Sequence, residues 1–138
     1  MKQVYVIDAC ALIAFLADEE GAGKVEGILK EAEKGKCKLF MNRINLLEVF
    51  YGVYREEGKE KAEEVLERIL KLPIKIIKII KSKVFKAAGR LKATYKISLA
   101  DSIALAETFT KKALILTADH HEFDEIEGKE KINFSWIR

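Results

Sequence analysis

The sequence predicts an α/β protein with one domain, in which helices cover both faces of a central, mainly parallel β-sheet. Short apolar segments of strand length alternate with longer segments of helical periodicity, a pattern typical of parallel sheets with crossover helices. The chain has 138 residues, a length that suits one hydrophobic core. Because no repeat, low-complexity tract or linker is visible, we assign residues 1–138 to a single domain.

The first half of the chain predicts two strands and four helices. The opening strand, QVYVI, is short and β-branched, and the character of the sequence changes at Asp8 directly after it. Apolar residues at helical spacing and glycine stops then delimit the helices. In order, the predicted elements are a strand at 3–7, helices at 10–16 and 22–35, a strand at 37–41, and helices at 43–57 and 59–72.

The second half continues the alternation. Pro73 is the only proline, and it ends the preceding helix because it lacks a backbone donor. Alternating apolar residues follow it, then a helix with one apolar stripe, and then a helix that begins at Ser98. The predicted elements are a strand at 74–80, helices at 83–95 and 98–112, and strands at 113–117 and 132–137.

Composition favours a cytoplasmic protein without a membrane span. No run of 18 apolar residues and no leader-like segment is present. Cys10 and Cys37 offer neither a disulfide framework nor metal-ligand spacing, and we interpret both as buried thiols. His120 and His121 are adjacent and have no third nitrogen or sulfur ligand at suitable spacing, so they are poor zinc ligands.

Four acidic residues occupy positions where a parallel sheet binds ligands. Asp8 and Asp119 follow predicted strands, while we expect Glu48 and Asp101 to lie in the opening turns of helices. Strand ends and the starts of the following helices share one edge of such a sheet, so we expect these four carboxyls to meet. Carboxylates so close together repel one another unless a cation neutralises them, and Mg²⁺ and Mn²⁺ prefer such oxygen ligands.

Each acid also has a purely structural interpretation. Asp8 could cap the helix that follows it. Ser98 and Asp101 have the spacing of a capping box. Glu48 could face solvent beside an apolar stripe, and Asp119 could be an ordinary loop residue. A capping role and a metal-binding role are compatible, because both place a carboxylate near a helix N-terminus.

The combined motifs resemble those of the PIN-domain ribonucleases, in particular the VapC-type toxins of toxin–antitoxin pairs. The motifs are VIDACALIA, LLEVFYG, SLADSIALA and LILTADHHEF, and they extend over essentially the whole chain. The resemblance implies a site for one or two Mg²⁺ or Mn²⁺ ions formed by Asp8, Glu48, Asp101 and Asp119. It also implies that Thr117 helps to orient a ligand or water. Ala9 departs from the family pattern, which commonly has Thr or Ser there.

The same resemblance implies an activity and partners. The activity is metal-dependent hydrolysis of RNA phosphodiester bonds, which leaves 5′-phosphate and 3′-hydroxyl ends. The partners are an RNA substrate, a VapB-like antitoxin and a second copy of the chain, with Phe50, Tyr51 and Tyr54 as a candidate homodimer interface. An RNA-processing nuclease without an antitoxin and a catalytically silent RNA-binding scaffold are the alternatives within the family.

Two other families with acidic pockets fit less well. A receiver domain requires two adjacent acids after the first strand, whereas Asp8 stands alone there. A phosphatase of the haloacid-dehalogenase type requires Asp-x-Asp, and Cys10 occupies the position of the second acid.

Basic residues are concentrated in one part of the chain. The net charge is only +3, yet residues 71–96 contain nine basic residues and no acid. Within them Lys83, Lys86 and Arg90 recur on one helical face. Either a solvated helix surface or a surface that follows an RNA backbone explains this segregation.

Overall fold

Five parallel strands form the centre of this protein, which a computed structural model describes for residues 2–138. The strands are β1 (Gln3–Ile7), β2 (Cys37–Asn42), β3 (Lys75–Ile77), β4 (Leu114–Thr117) and β5 (Asn133–Trp136). They lie in the order β3-β2-β1-β4-β5, and every neighbouring pair is parallel. The predicted α/β fold with a central parallel sheet is therefore confirmed.

Helices connect these strands and cover the sheet. They are α1 (Ala9–Leu16), α2 (Ala22–Glu33), α3 (Arg43–Glu57), α4 (Lys59–Leu70), α5 (Ser82–Thr94), α6 (Leu99–Lys111) and α7 (His120–Phe123). The first six correspond to predicted helices, whereas the sequence analysis does not predict the short α7. Within residues 2–138, none of the helices is long and apolar enough to cross a membrane.

The predicted strand at 74–80 is wrong beyond Ile77. Strand β3 lies at the edge of the sheet and pairs with β2 along one side. The alternating sequence continues past Ile77, but the backbone leaves the sheet there, and Ile79 is 64% exposed. A pattern of alternating residues therefore extends further than the hydrogen-bonded strand.

The sheet separates two apolar clusters, one on each face. The first includes Leu12, Val25 and Ile69 from the helices of the first half of the chain. The second is built around α5, α6 and the segment that follows β4. Neighbouring residues of β4 belong to different clusters, Leu116 to the first and Ile115 to the second. The reason is that alternate side chains of a strand point to opposite faces of the sheet.

A buried carboxylate joins α6 to the end of β2. Glu107 is 1% exposed, and its two oxygens accept hydrogen bonds from Asn42 Nδ2 at 2.7 Å and Lys111 Nζ at 2.9 Å. The Asn42 side chain also accepts a hydrogen bond from the Ile44 amide at 2.9 Å, which caps α3. The start of α3 and the middle of α6 are thus held together by one polar network.

The carboxyl edge of the sheet is where several helices begin. Helix α1 follows β1 directly, α3 follows β2, and α7 follows β4. Helix α6 reaches the same edge from α5, and the side-chain amide of Asn45 in α3 donates a hydrogen bond to the Ala100 carbonyl in the first turn of α6 at 3.0 Å. This topology brings helix N-termini and strand ends from distant parts of the chain to one place.

Candidate active site

A cavity of about 430 Å³ opens at the carboxyl edge of the sheet. Three of the four predicted acids, Glu48, Asp101 and Asp119, line it. The fourth, Asp8, is 2% exposed and lies next to the lining residue Ala9. We call this cavity, together with the Asp8 side chain beside it, the acidic pocket.

Asp8 combines the two roles that its sequence position left open. It caps α1, where its Oδ1 accepts a hydrogen bond from the Ala11 amide at 2.9 Å. Burial raises the pKa of its carboxyl to about 7, hydrogen bonds from Thr117 and Ala11 act in the opposite direction, and the charges of Asp101 and Asp119 raise it further. Asp8 is therefore both a helix cap and a neighbour of the other acids.

Thr117 connects two of these acids. Its side chain is fully buried at the end of β4. The hydroxyl oxygen accepts a hydrogen bond from the Asp119 amide at 3.0 Å, and the hydroxyl is also hydrogen-bonded to the Asp8 carboxyl. The structure thus places Thr117 behind the acidic pocket, where it contacts the Asp8 carboxyl and the Asp119 amide and does not line the cavity.

Asp101 and Asp119 each act as part of a helix cap. The Ser98 hydroxyl accepts a hydrogen bond from the Asp101 amide at 3.1 Å, and the Asp101 carboxyl bonds back to Ser98, as the capping-box spacing predicts. Burial, followed by the charges of Asp119 and Glu122, raises the pKa of Asp101 to about 6. The carboxylate of Asp119 caps α7 by accepting a hydrogen bond from the Glu122 amide at 3.1 Å.

Glu48 reaches the pocket from the side of α3. It is the sixth residue of that helix, so it lies in the second turn and not in the opening turn that the sequence analysis expects. Burial, and then the charges of Asp101 and Asp119, raise the pKa of its carboxyl above the ordinary value. Since the same neighbours affect Asp8, the four acids form one electrostatic group.

Two further acids, Glu19 and Glu122, line the pocket and were missed by the sequence analysis. Glu122 stands three residues after Asp119, at the N3 position that acids favour in a capped helix, and this spacing could have identified it. Glu19 lies in the turn after α1, a segment without any local signal of a site. Its carboxylate is 3.6 Å from an Arg138 nitrogen.

The four predicted acids have the donor chemistry of a divalent-cation site. Within residues 2–138, none of them forms an ion pair with a Lys, Arg or His side chain. In the same part of the chain, however, no three Asp, Glu, His or Cys side chains are arranged to hold one ion together. Carboxylate oxygens suit Mg²⁺ and Mn²⁺, so the residues fit such an ion chemically, and binding requires the side chains to move closer together.

The raised pKa values predict how stability depends on pH. In the absence of divalent ions we expect the free energy of unfolding to fall as pH rises from about 4 to 7. The folded-state pKa values of Asp8, about 7, and Asp101, about 6, exceed the ordinary value of 3.8, so the folded protein binds more protons across this range. The contribution of these two carboxyls to the free energy of unfolding is fully present below pH 3.8. It is lost as pH rises through their folded-state pKa values.

Urea unfolding at several pH values, for the unmodified protein and for Asp8→Asn, measures this contribution. The two stabilities should diverge by about 2–4 kcal/mol in favour of Asp8→Asn as pH rises to 7.5. Parallel pH profiles would show that Asp8 does not carry a raised pKa. Mn²⁺ added at pH 7.5 should stabilise the unmodified protein more than the variant, because the charged carboxylate favours the ion.

Cys10 is less buried than the sequence predicts. Cys37 is buried, as predicted, but Cys10 is partly exposed and lines the acidic pocket. Burial, and then the nearby charge of Asp8, raise the pKa of its thiol to about 11. Cys10 therefore remains a neutral thiol in the acidic pocket.

The structure does not bring the predicted basic residues to this pocket. Lys83, Lys86 and Arg90 line a separate cavity of about 810 Å³ beside the C-terminal end of α6. Arg90 donates two hydrogen bonds to the carboxylate of Glu130, at 2.8 and 3.2 Å. This pairing lowers the pKa of Glu130.

Comparisons with known proteins agree with this architecture. A family model described as the PIN domain matches residues 5–129. VapBC2 from Rickettsia felis, solved bound to a DNA fragment from its promoter, contains a chain that is 16% identical, with 97% of this chain and 98% of that chain covered and a TM-score of 0.73. A chain of DNA-bound VapBC from Salmonella typhimurium is 14% identical, with 100% of both chains covered and a TM-score of 0.75.

VapC20 from Mycobacterium tuberculosis, described as a toxin that cleaves the sarcin-ricin loop, is 13% identical, with 94% of this chain and 98% of that chain covered and a TM-score of 0.65. At these identities the similarity to solved structures concerns the fold. No curated protein matches the sequence. Because the family model spans most of the chain and the sheet and helices have the matching architecture, this protein belongs to the PIN domain family.

Proposed function

We propose that this protein is a metal-dependent endoribonuclease and the toxin of a type II toxin–antitoxin pair. The observation that supports it best is the acidic pocket, where acids from separate parts of the chain lie so close together that the charges of Asp101 and Asp119 raise the pKa of both Asp8 and Glu48. Such a group of carboxylates without basic partners is costly in a folded protein unless a cation or a proton compensates it. Membership of the PIN domain family makes nuclease chemistry the simplest explanation of that cost.

The proposed site separates metal ligands from residues that position them. One or two Mg²⁺ or Mn²⁺ ions, when bound, would lower the pKa of water and offset charge on the phosphate. The ligands in this proposal are Asp8, Glu48, Asp101 and Asp119. Thr117 holds the Asp8 carboxyl and the Asp119 backbone in place, and Ser98 does the same for Asp101.

The proposed partners are an RNA substrate, a VapB-like antitoxin and a second copy of the chain. Structural neighbours that were solved as VapBC complexes support the antitoxin. Tyr51 and Tyr54 are exposed on α3, and the Tyr54 ring contacts Phe50 edge-on with centroids 5.9 Å apart. Exposed aromatic side chains of this kind favour a protein–protein contact. In this proposal the whole chain forms one nuclease domain.

Incubation of the purified protein with RNA tests the activity. We expect cleavage with Mg²⁺ or Mn²⁺, no cleavage with excess EDTA, and fragments with 5′-phosphate and 3′-hydroxyl ends, because activated water attacks the phosphate directly and the 3′-oxygen leaves as the P–O3′ bond breaks. Fragments with cyclic 2′,3′-phosphate ends, or cleavage that persists in EDTA, would contradict the proposal. A short open reading frame immediately upstream, whose product suppresses the cleavage, would distinguish a toxin from an RNA-processing enzyme.

A further inference from the structure

A second charged surface lies at the other end of α6 from the acidic pocket. Two cavities of about 810 and 770 Å³ adjoin there and share Lys83 and Thr110 as lining residues. Their lysines come from β3, the loop after it, α5, the end of α6 and the segment before β5. We define the basic surface by six of these residues, namely Lys75, Lys81, Lys83, Lys86, Lys112 and Lys131.

The lysines of the basic surface are exposed, and within residues 2–138 none of them forms an ion pair. Two other cations at these cavities are already neutralised, since Arg90 is bound to Glu130 and Lys111 to Glu107. Among the described residues, Glu107 is the only acid that lines either cavity. Like charges gathered without counter-charges attract a polyanion.

Lys112, at one side of the basic surface, is too far from the acidic pocket to contact the phosphate that would be cut. Asp101, in the first turn of α6, and Lys112, at its C-terminal cap, are eleven residues apart. At 1.5 Å per residue, that separation is about 16 Å. A stacked strand has one phosphate per about 3.4 Å, so along such a strand this separation corresponds to roughly five nucleotides.

Neutral side chains in the larger cavity favour a single-stranded nucleic acid over an acidic protein. The ring of Phe109 is 38% exposed there, and an accessible aromatic ring among lysines is typical of surfaces that bind single strands. Asn133 lines the same cavity, and its side-chain amide carries donors suited to phosphate and sugar oxygens. This combination suits contacts to a nucleic-acid backbone and to the face of a base, neither of which depends on base sequence.

We propose that the basic surface is a second RNA-binding site, which holds the phosphate backbone of the substrate at a distance from the acidic pocket. This inference rests on the proposed ribonuclease function for the identity of its ligand. It keeps Lys83 and Lys86 from the predicted set of Lys83, Lys86 and Arg90, and it adds four lysines, namely Lys75, Lys81, Lys112 and Lys131. Arg90 is not counted as an RNA contact because Glu130 occupies its guanidinium.

Binding of an end-labelled single-stranded RNA, followed by fluorescence anisotropy in EDTA, tests the site without cleavage. The test variant combines Lys83→Ala, Lys86→Ala and Lys112→Ala. The control combines Lys34→Ala, Lys36→Ala and Lys59→Ala, which removes the same charge from exposed, unpaired lysines elsewhere. We expect the test variant to bind at least about tenfold more weakly and to lose about 2 units of the slope of log K against log salt, while the control stays within about twofold of the unmodified protein.

Cleavage kinetics provide the second measurement. In the test variant the KM for a long RNA should rise while kcat stays unchanged, because the acidic pocket is untouched. Equal RNA affinity of test and control variants would overturn the inference, as would equal binding of polyglutamate and RNA by the unmodified protein. If the protein binds RNA through the basic surface but cleaves no RNA, the nuclease proposal is contradicted. The RNA-binding proposal remains supported in that case.

Discussion

Asp8→Asn is expected to slow metal-dependent RNA cleavage by roughly 10²–10³-fold and to leave the fold intact. The amide oxygen of Asn can still accept the Ala11 hydrogen bond that caps α1. The substitution removes the negative charge of Asp8, whose side chain is 2% exposed and is affected by the charges of Asp101 and Asp119. If the carboxylates hold a cation, loss of the most deeply buried one weakens both ion binding and charge stabilisation at the phosphate.

The measurement compares cleavage rates at saturating Mn²⁺ with Mn²⁺ affinity from titration calorimetry. Asp18→Asn is the matched control, since Asp18 is exposed and has a backbone φ of 53° that Asn adopts readily. We expect the control to retain full activity and full Mn²⁺ affinity. An Asp8→Asn protein that is folded, binds Mn²⁺ normally and cleaves RNA at the normal rate would remove Asp8 from the proposed site.

Lys111→Met is expected to lower the free energy of unfolding by about 3 kcal/mol. Lys111 provides the counter-charge for Glu107, whose side chain is 1% exposed. The Lys111 Nζ and Glu107 Oε1 atoms lie 2.9 Å apart. Without Lys111, the carboxylate retains only the hydrogen bond from Asn42. The substitution also removes the contact between the Lys111 ammonium and the Phe40 ring, 5.3 Å from its centroid, which adds about 0.5–1 kcal/mol.

Urea unfolding of three variants isolates this effect. Lys112→Met changes the neighbouring, exposed lysine, which has no ion pair in the described residues, and should cost less than about 0.5 kcal/mol. Glu107→Gln combined with Lys111→Met removes both charges and should recover part of the loss. Equal stability of Lys111→Met and Lys112→Met would mean that the buried carboxylate needs no counter-charge.

Most of the fold follows from local patterns. Each strand except β3 and each helix except α7 lies within about two residues of its predicted position, because apolar periodicity and glycine or proline stops act over a few residues. The two misses have a common cause. The end of β3 depends on whether a neighbouring strand is available, and α7 has only four residues, too few to show a periodicity.

The candidate site was predictable for a different reason. The positions of Asp8 and Asp119 after strands, and of Asp101 in a capping box, are visible in the sequence. The rule that strand ends and helix starts share one edge of a parallel sheet converts those positions into proximity. Glu19 could not be found this way, because it reaches the acidic pocket through the path of a turn rather than through a strand end.

Residue spacing was thus sufficient for the class of fold, for most of its elements and for the acids expected to meet at one edge of the sheet, because these depend on short-range periodicity and on one general property of parallel sheets. The pairing of polar and charged groups that lie far apart in the sequence was decided by the tertiary structure alone. Arg90 meets Glu130 across 40 residues, and Glu107 meets Asn42 across 65. Whether such distant groups meet depends on how helices and strands pack, which local sequence does not encode.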